Sequence, residues 1–210
     1  MLNNLLQHLR HMKKHQENPG SYESDLWEYM LLANPDELVH EKLMEEKKYF
    51  EDKYQTGIDT KTLPHLTIAN FLAKEILEDR ISRLLQNICN QQFSFSVALN
   101  NFSGLPNDTV FIRVQNSQPF KRLSNGLQAL DDLLQINGCT PLQLISKPYL
   151  AIAWQLQEDI YHAAIKEYAA RDFHDQFVVD KLVLLKRDRA HKKWQHVNYF
   201  YLPPEKNSYN

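Results

Sequence analysis

His65 and Thr67 stand two residues apart in the segment Pro64-His65-Leu66-Thr67-Ile68-Ala69, a spacing that could place an imidazole and a hydroxyl side by side. On a β-strand, residues i and i+2 point to the same face about 7 Å apart, so these two would share one face and Leu66 and Ile68 the other. A neutral imidazole with a pKa near about 6.5 can take or give a proton around neutral pH. A hydroxyl beside it can donate a hydrogen bond to an anionic oxygen. The same segment returns as Pro148-Tyr149-Leu150-Ala151-Ile152-Ala153, with both polar residues replaced. Tyr, with a pKa of about 10, is a poor base at neutral pH but a competent hydrogen-bond donor. The first copy is equipped for proton chemistry, and the second cannot perform it in the same way.

The elements around the two copies follow one order. Residues 1 to 18 read as a polar helix ended by Asn18-Pro19-Gly20, and Trp27 to Ala33 as a strand. Asn34-Pro35-Asp36-Glu37 offers a helix cap, a Pro at the first helical position and an acidic residue in the first turn. Val39, Leu43, Phe50 and Tyr54 continue that helix at its own spacing. After the first motif strand comes a helix with Leu77, Ile81, Leu84 and Ile88 on one side. Strands Phe93 to Phe102 and Thr109 to Gln115 follow, joined by Ser103-Gly104-Leu105-Pro106-Asn107. Pro119 opens a helix with Leu123, Leu127, Leu130 and Leu134. After the second motif strand come a helix from about Glu158 to Ala170, a strand from Phe177 to Lys186, and a last strand from about Lys193.

Four landmarks in the first series, at Pro35, Pro64, Phe93 and Thr109, recur 84 residues later at Pro119, Pro148, Phe177 and Lys193. The economical reading is a duplicated, two-lobed α+β fold, each lobe an antiparallel sheet backed by helices, with the motif strands facing a central cleft. The expected organisation is an N-terminal helical extension over 1–26 and a two-lobed domain over 27–210, with pseudo-repeats of about 27–110 and 111–194.

The duplicated pattern of His, then Thr two residues on, resembles that of the two-histidine (2H) phosphoesterase superfamily, which includes the 2'-5' RNA ligases and cyclic phosphodiesterases. The likeness runs over roughly 27 to 202. It takes in Thr109-Val110-Phe111-Ile112-Arg113-Val114 and the closing Tyr199-Phe200-Tyr201-Leu202. The resemblance implies two histidines flanking a phosphodiester and exchanging general-base and general-acid roles, with Thr or Ser hydroxyls holding phosphate oxygens. Carried over, His65 takes the catalytic position and Thr67 a phosphate-binding one. Tyr149 stands where the second histidine would be and is the remaining candidate for phosphate contact, while Ala151 has lost the second hydroxyl. The implied ligands are RNA ends or nucleotide phosphates, with no cofactor and no metal.

Losing one positioned acid or base removes about 10² to 10⁴ in rate, roughly 3 to 5 kcal/mol of barrier. Losing the hydroxyl at 151 removes a contact worth about 1.5 to 3 kcal/mol when the acceptor is charged. Three readings stay open. The first is a protein that binds RNA ends or nucleotide phosphates with reduced or lost cyclic phosphodiesterase activity. The second is a residual 2',3'-cyclic phosphodiesterase using His65 with Tyr149 or water, and the third a non-catalytic scaffold for a protein partner.

The remaining features constrain more than they assign. A chain of 210 residues buries about 70% of its unfolded surface. A net charge of -2 argues neither for nor against nucleic acid. Cys89 and Cys139 have no partners at zinc or redox spacing, and residues 1–14 lack the apolar run of a signal peptide, so a cytoplasmic location is expected. No segment has the roughly 18 apolar residues of a membrane span. His8, His11 and His15 share a helical face without accompanying carboxylates and read as solvated. The basic run Lys186 to Lys193, with Trp194 beside it, reads as a charged hairpin tip, with phosphate contact and base stacking as the alternative. Oligomeric state is left open.

Overall fold

The computed structural model describes residues 26–57, 62–106, 108–145, 147–188 and 193–205. The expected N-terminal helical extension, with His8, His11 and His15, lies outside the described residues, as do 189–192 of the basic run. Nine strands and five helices follow in order among the described residues: β1 (Leu26–Ala33), α1 (Glu37–Tyr54), β2 (Leu66–Lys74), α2 (Glu78–Asn90), β3 (Phe95–Leu105), β4 (Thr109–Val114), α3 (Gln118–Gly126), α4 (Gln128–Ile136), β5 (Gln143–Leu144), β6 (Tyr149–Ala153), α5 (Glu158–Tyr168), β7 (His174–Val179), β8 (Lys181–Asp188) and β9 (Gln195–Tyr201).

The strands form two antiparallel sheets, one in the order β5-β2-β1-β8-β9 and the other β6-β4-β3-β7. The α+β, two-lobed architecture expected from the sequence is therefore present, with one motif strand in each sheet. Each sheet draws strands from both halves of the chain. The crossing is made between β7 and β8: the strand expected from Phe177 to Lys186 breaks at Asp180, and its two parts pair with β3 and with β1. Asp180 O accepts from Leu202 N at 2.7 Å, which fastens the break to the end of β9. The phase of burial changes there too, from Phe177 and Val179 to Leu182 and Leu184.

One apolar core joins the inner faces of both sheets. It contains Tyr29, Leu31, Leu66, Ile68 and Phe71 from the first sheet and Val97, Leu99, Ile112, Leu150 and Ile152 from the second. Helix α2 packs on β9, α5 on β3 and β4, and α1 reaches across to β6 and β7. Gly104 lies where α5 crosses β3, since a Cβ there would stand 2.5 Å from the Tyr161 hydroxyl. Helix α1 starts two residues later than expected. Asp36, not Asn34, is the cap: its carboxylate accepts from Val39 N at 3.0 Å, and Pro35 precedes the helix. The helix expected through Leu123, Leu127, Leu130 and Leu134 is two helices, α3 and α4, meeting at Leu127, yet all four leucines are buried as their spacing predicts.

Helix α1 is tied to α5 by a polar cluster on Glu167. Lys53 Nζ approaches its carboxylate at 2.7 Å, and the Tyr49 and Tyr54 hydroxyls donate to it at 2.6 and 2.5 Å. Burial alone would raise the Glu167 pKa, but these hydrogen bonds outweigh it and bring the value down to about 2. A folded-state pKa below the unfolded one means stability that is present above about pH 4.5 and is lost as pH falls through about 2. Glu167→Gln is expected to lower stability at pH 7 by about 1 to 2 kcal/mol, allowing for solvent screening. It should also shrink the loss of stability between pH 4.5 and 2. Urea midpoints of the two proteins across that range check both effects, and parallel acid curves would contradict this account of the cluster.

Candidate functional site

The two motif strands are built alike down to an irregularity. In β2 the pairing with β1 skips from Leu31↔Ala69 to Leu32↔Thr67, leaving Ile68 as an extra residue. In β6 the pairing with β4 skips from Val110↔Ala153 to Phe111↔Ala151, leaving Ile152. Each is a one-residue bulge, and each lets an Ile and the following Ala both face the core. The bulges fall at equivalent places, 84 residues apart in sequence, so the repeated segment carries a repeated backbone shape. Strands β2 and β6 also come into contact with each other where the sheets meet.

Thr67 therefore points away from Leu66 and Ile68, onto the open face of its sheet, where its hydroxyl lies 4.0 Å from Met30 Sδ. That weak contact leaves it able to serve a stronger acceptor. His65, half-buried, immediately precedes β2, and its Nδ1 is 2.9 Å from the Leu63 carbonyl oxygen. A carbonyl only accepts, so Nδ1 carries the proton and the neutral ring keeps its lone pair on Nε2. Burial pushes the His65 pKa below the ordinary histidine value, the Leu63 hydrogen bond opposes this, and the Lys47 charge pushes it further down. His65 is thus neutral at pH 7, with Nε2 available as a base or an acceptor.

On the other sheet, Tyr149 is half-buried, with its ring 4.8 Å from that of Phe111. Burial, and then the charge of Asp108, raise its pKa. Its hydroxyl accordingly stays protonated and can donate but not act as a base. Ala151 lies opposite Phe111, and Arg113 lies opposite Tyr149. Arg113 is exposed and its Nε donates to Asn100 O at 3.1 Å, so this face carries a cation beside Tyr149.

Sequence reasoning passed over Arg113 and Lys47. For Arg113 the signal was present: it alternates with Phe111 on a strand that the sequence itself predicts. Lys47 occupies a core position of α1, 2% exposed, in the stripe that also holds Val39, Leu43 and Phe50. A lysine in an apolar helical stripe is itself a signal, because lysine is rarely fully buried without a partner. Its Nζ donates to Thr62 O and sits 5.1 Å from the ring centre of Trp154, the residue that follows β6.

Two surface depressions are lined by neither His65 nor Thr67. One, between β4 and the approach to β6, is lined by Val114, Gln115, Ser117, Lys147 and Pro148. The other lies near Phe93, Phe95 and Arg122. Of the basic run, Lys186 is paired with Glu75 and Glu78 at 2.8 and 2.7 Å, and Arg187 makes two hydrogen bonds to Glu28. Trp194 stacks under Arg187 at 4.4 Å. Lys186 thus ties β8 to the start of α2, and Arg187 ties it to β1. No cluster of metal-ligating side chains occurs among the described residues, and no helix among them is long and apolar enough to cross a membrane.

The family model of the 2'-5' RNA ligase superfamily matches residues 35–191, and the chain belongs to that superfamily. Among solved structures it is similar to the TT0787 protein of Thermus thermophilus, with 17% identity and a TM-score of 0.59, over 85% of this chain and 99% of that one. It is similar also to E. coli LigT complexed with 3'-AMP, at 16% identity and a TM-score of 0.58, over 84% and 98% of the two chains. At these identities the structural likeness speaks for the fold. No curated protein matches the chain significantly.

Proposed function

We propose that this protein binds RNA ends or nucleotide phosphates on the faces that carry His65, Thr67 and Tyr149, and that its cyclic phosphodiesterase activity is reduced or lost. The observation that carries the reading is the asymmetry of the two bulged strands. They share one backbone shape, but the polar pair of the first, His65 and Thr67, is Tyr149 and Ala151 in the second. His65, with Nε2 unprotonated, has the form of a base or acceptor, whereas Tyr149, with its raised pKa, offers a donor. Arg113 beside Tyr149 supplies positive charge for an anionic oxygen. The superfamily is named for RNA ligation, and LigT, which shares the fold, has been crystallised with 3'-AMP, phosphate and ATP.

In-line opening of a cyclic phosphate needs one group to take a proton from water and another to protonate the leaving oxygen. Here His65 can fill the first role. Tyr149, its pKa raised by burial and by the charge of Asp108, would be a slow acid, which is why binding is expected to outlast turnover. The protein is read as cytoplasmic, with no metal or cofactor required by this chemistry.

The test is calorimetric titration of 3'-AMP and of a short RNA ending in a 2',3'-cyclic phosphate. His65→Ala is expected to weaken 3'-AMP affinity by about 2- to 10-fold, the loss of the Nε2 acceptor for the ligand's 2'-hydroxyl. Equal affinities in wild type and His65→Ala would remove His65 from the site and the proposal with it.

A further inference from the structure

A buried lysine joins the two motifs. Lys47 lies on the inner stripe of α1, 2% exposed, and α1 is the helix that leaves β1 of one sheet and packs on β6 of the other. Its ammonium faces two ways. It donates to the carbonyl of Thr62, three residues before His65, and it lies over the ring of Trp154, one residue beyond the second motif strand. Thr62, Leu63 and Pro64 form the short irregular lead into β2, and the carbonyl of Leu63 is the group that holds the His65 ring by Nδ1. A rigid lead therefore means a rigid imidazole. The lead lies outside the strand ladder, and the buried cation on the Thr62 carbonyl is one of the groups that hold it.

We propose that Lys47 is the positioning residue of the His65 site: by gripping the Thr62 carbonyl it fixes the backbone that holds His65 Nδ1, and so keeps Nε2 unprotonated and held in one direction, the form in which it accepts a proton from a ligand hydroxyl or from water. The inference rests on the phosphate-binding reading for its functional consequence, but its structural half, the state of the His65 ring, stands by itself. Lys47 does not touch the ligand. It acts through the 62–65 backbone and through its charge, which among the described residues is the ionic group that acts on His65. That charge opposes protonation of the ring, in the same sense as burial does. A neutral group at 47 should therefore loosen the ring and ease its protonation together. The Trp154 contact places the second motif strand under the same control, since the ammonium is held against the indole face.

The deciding experiment reads the His65 ring directly, by nitrogen-15 NMR of histidine-labelled full-length protein across pH 5 to 8, with binding of 3'-AMP measured in parallel. Wild type is expected to show the Nδ1-protonated tautomer and a titration midpoint below that of an unperturbed histidine. Lys47→Met, which keeps the length of the side chain without its charge, should give a mixed tautomer and a higher midpoint. Lys47→Arg should recover the midpoint more than the tautomer, because it restores the charge but presents its donors at different positions. A folded Lys47→Met protein whose His65 tautomer and midpoint match wild type would overturn the proposal. So would failure of both variants to fold, which would make Lys47 a general support of the core. If His65→Ala leaves 3'-AMP binding unchanged while Lys47→Met still alters the ring, the phosphate reading fails and the positioning role stands.

Discussion

Tyr149→His combined with Ala151→Thr is expected to raise hydrolysis of 2',3'-cyclic phosphate ends by about 10² to 10⁴ over wild type near pH 7, the usual contribution of one positioned acid. The reason is local. The backbone that would carry the new pair already exists, because β6 repeats the bulge of β2 with Ile152 and Ala153 both turned inward. The substitutions therefore change side chains on an open face and leave the core residues Leu150 and Ile152 untouched. A histidine at 149 would bring an acid with a pKa of about 6.5 in place of a phenol whose pKa lies above its ordinary value. A threonine at 151 would supply the missing hydroxyl, worth about 1.5 to 3 kcal/mol toward a charged oxygen. Turnover should also depend on His65, so His65→Ala in this background should abolish the gain. Single-turnover assays with a short RNA measure it, with circular dichroism to establish folding. A folded double variant that binds the RNA end but turns over no faster than wild type would show that the two lost groups are not what limits activity.

The largest loss of stability is expected from Tyr168→Ala. Tyr168 ends α5 with its side chain fully buried. Its ring lies 5.8 Å from that of Phe50 on α1 and 4.7 Å from that of Phe102 on β3, edge-on to the latter, with the Arg171 guanidinium at 4.8 Å. It is thus the ring on which helix α1, helix α5 and the second sheet converge. Truncating a large buried aromatic costs about 3 to 5 kcal/mol, since it removes apolar contact and leaves a cavity that a rigid core closes only in part. For a chain of this size, that corresponds to a fall in Tm of roughly 6 to 20 °C. Tyr168→Phe, which keeps the ring and its stacking, should retain most of the stability. Thermal unfolding of the two variants beside wild type checks the contrast. Equal and large losses from both would move the explanation from the ring to the hydroxyl.

Local periodicity carried much of this fold. The leucines of α3 and α4 are buried where helical spacing puts them, although the chain bends at Leu127 and makes two helices of one. The alternation of Leu66 and Ile68 with Thr67 predicted the face on which Thr67 lies, because a regular strand alternates its side chains and the bulge at Ile68 and Ala69 comes only after Thr67. Asp36 rather than Asn34 caps α1, a slip of two residues that arises because both can accept a backbone hydrogen bond and only the geometry selects one. The strand expected from Phe177 to Lys186 was legible as extended chain. That it divides at Asp180 between two sheets was written only faintly, in the change of phase from Phe177 and Val179 to Leu182 and Leu184.

By itself, then, the sequence determined the type of most elements, many of the inward faces and the repeated segment with Tyr149 and Ala151 in place of the polar pair, since these depend on residues close together along the chain. The tertiary structure alone decided which strands share a sheet, with β3 and β4 joining β6 and β7 while β8 and β9 return to β1. It alone placed Arg113 opposite Tyr149 and Lys47 beneath the lead to His65. Those relations join residues far apart in sequence, 36 positions for Arg113 and Tyr149. Strand partners are chosen by packing of the whole core, which no local pattern encodes.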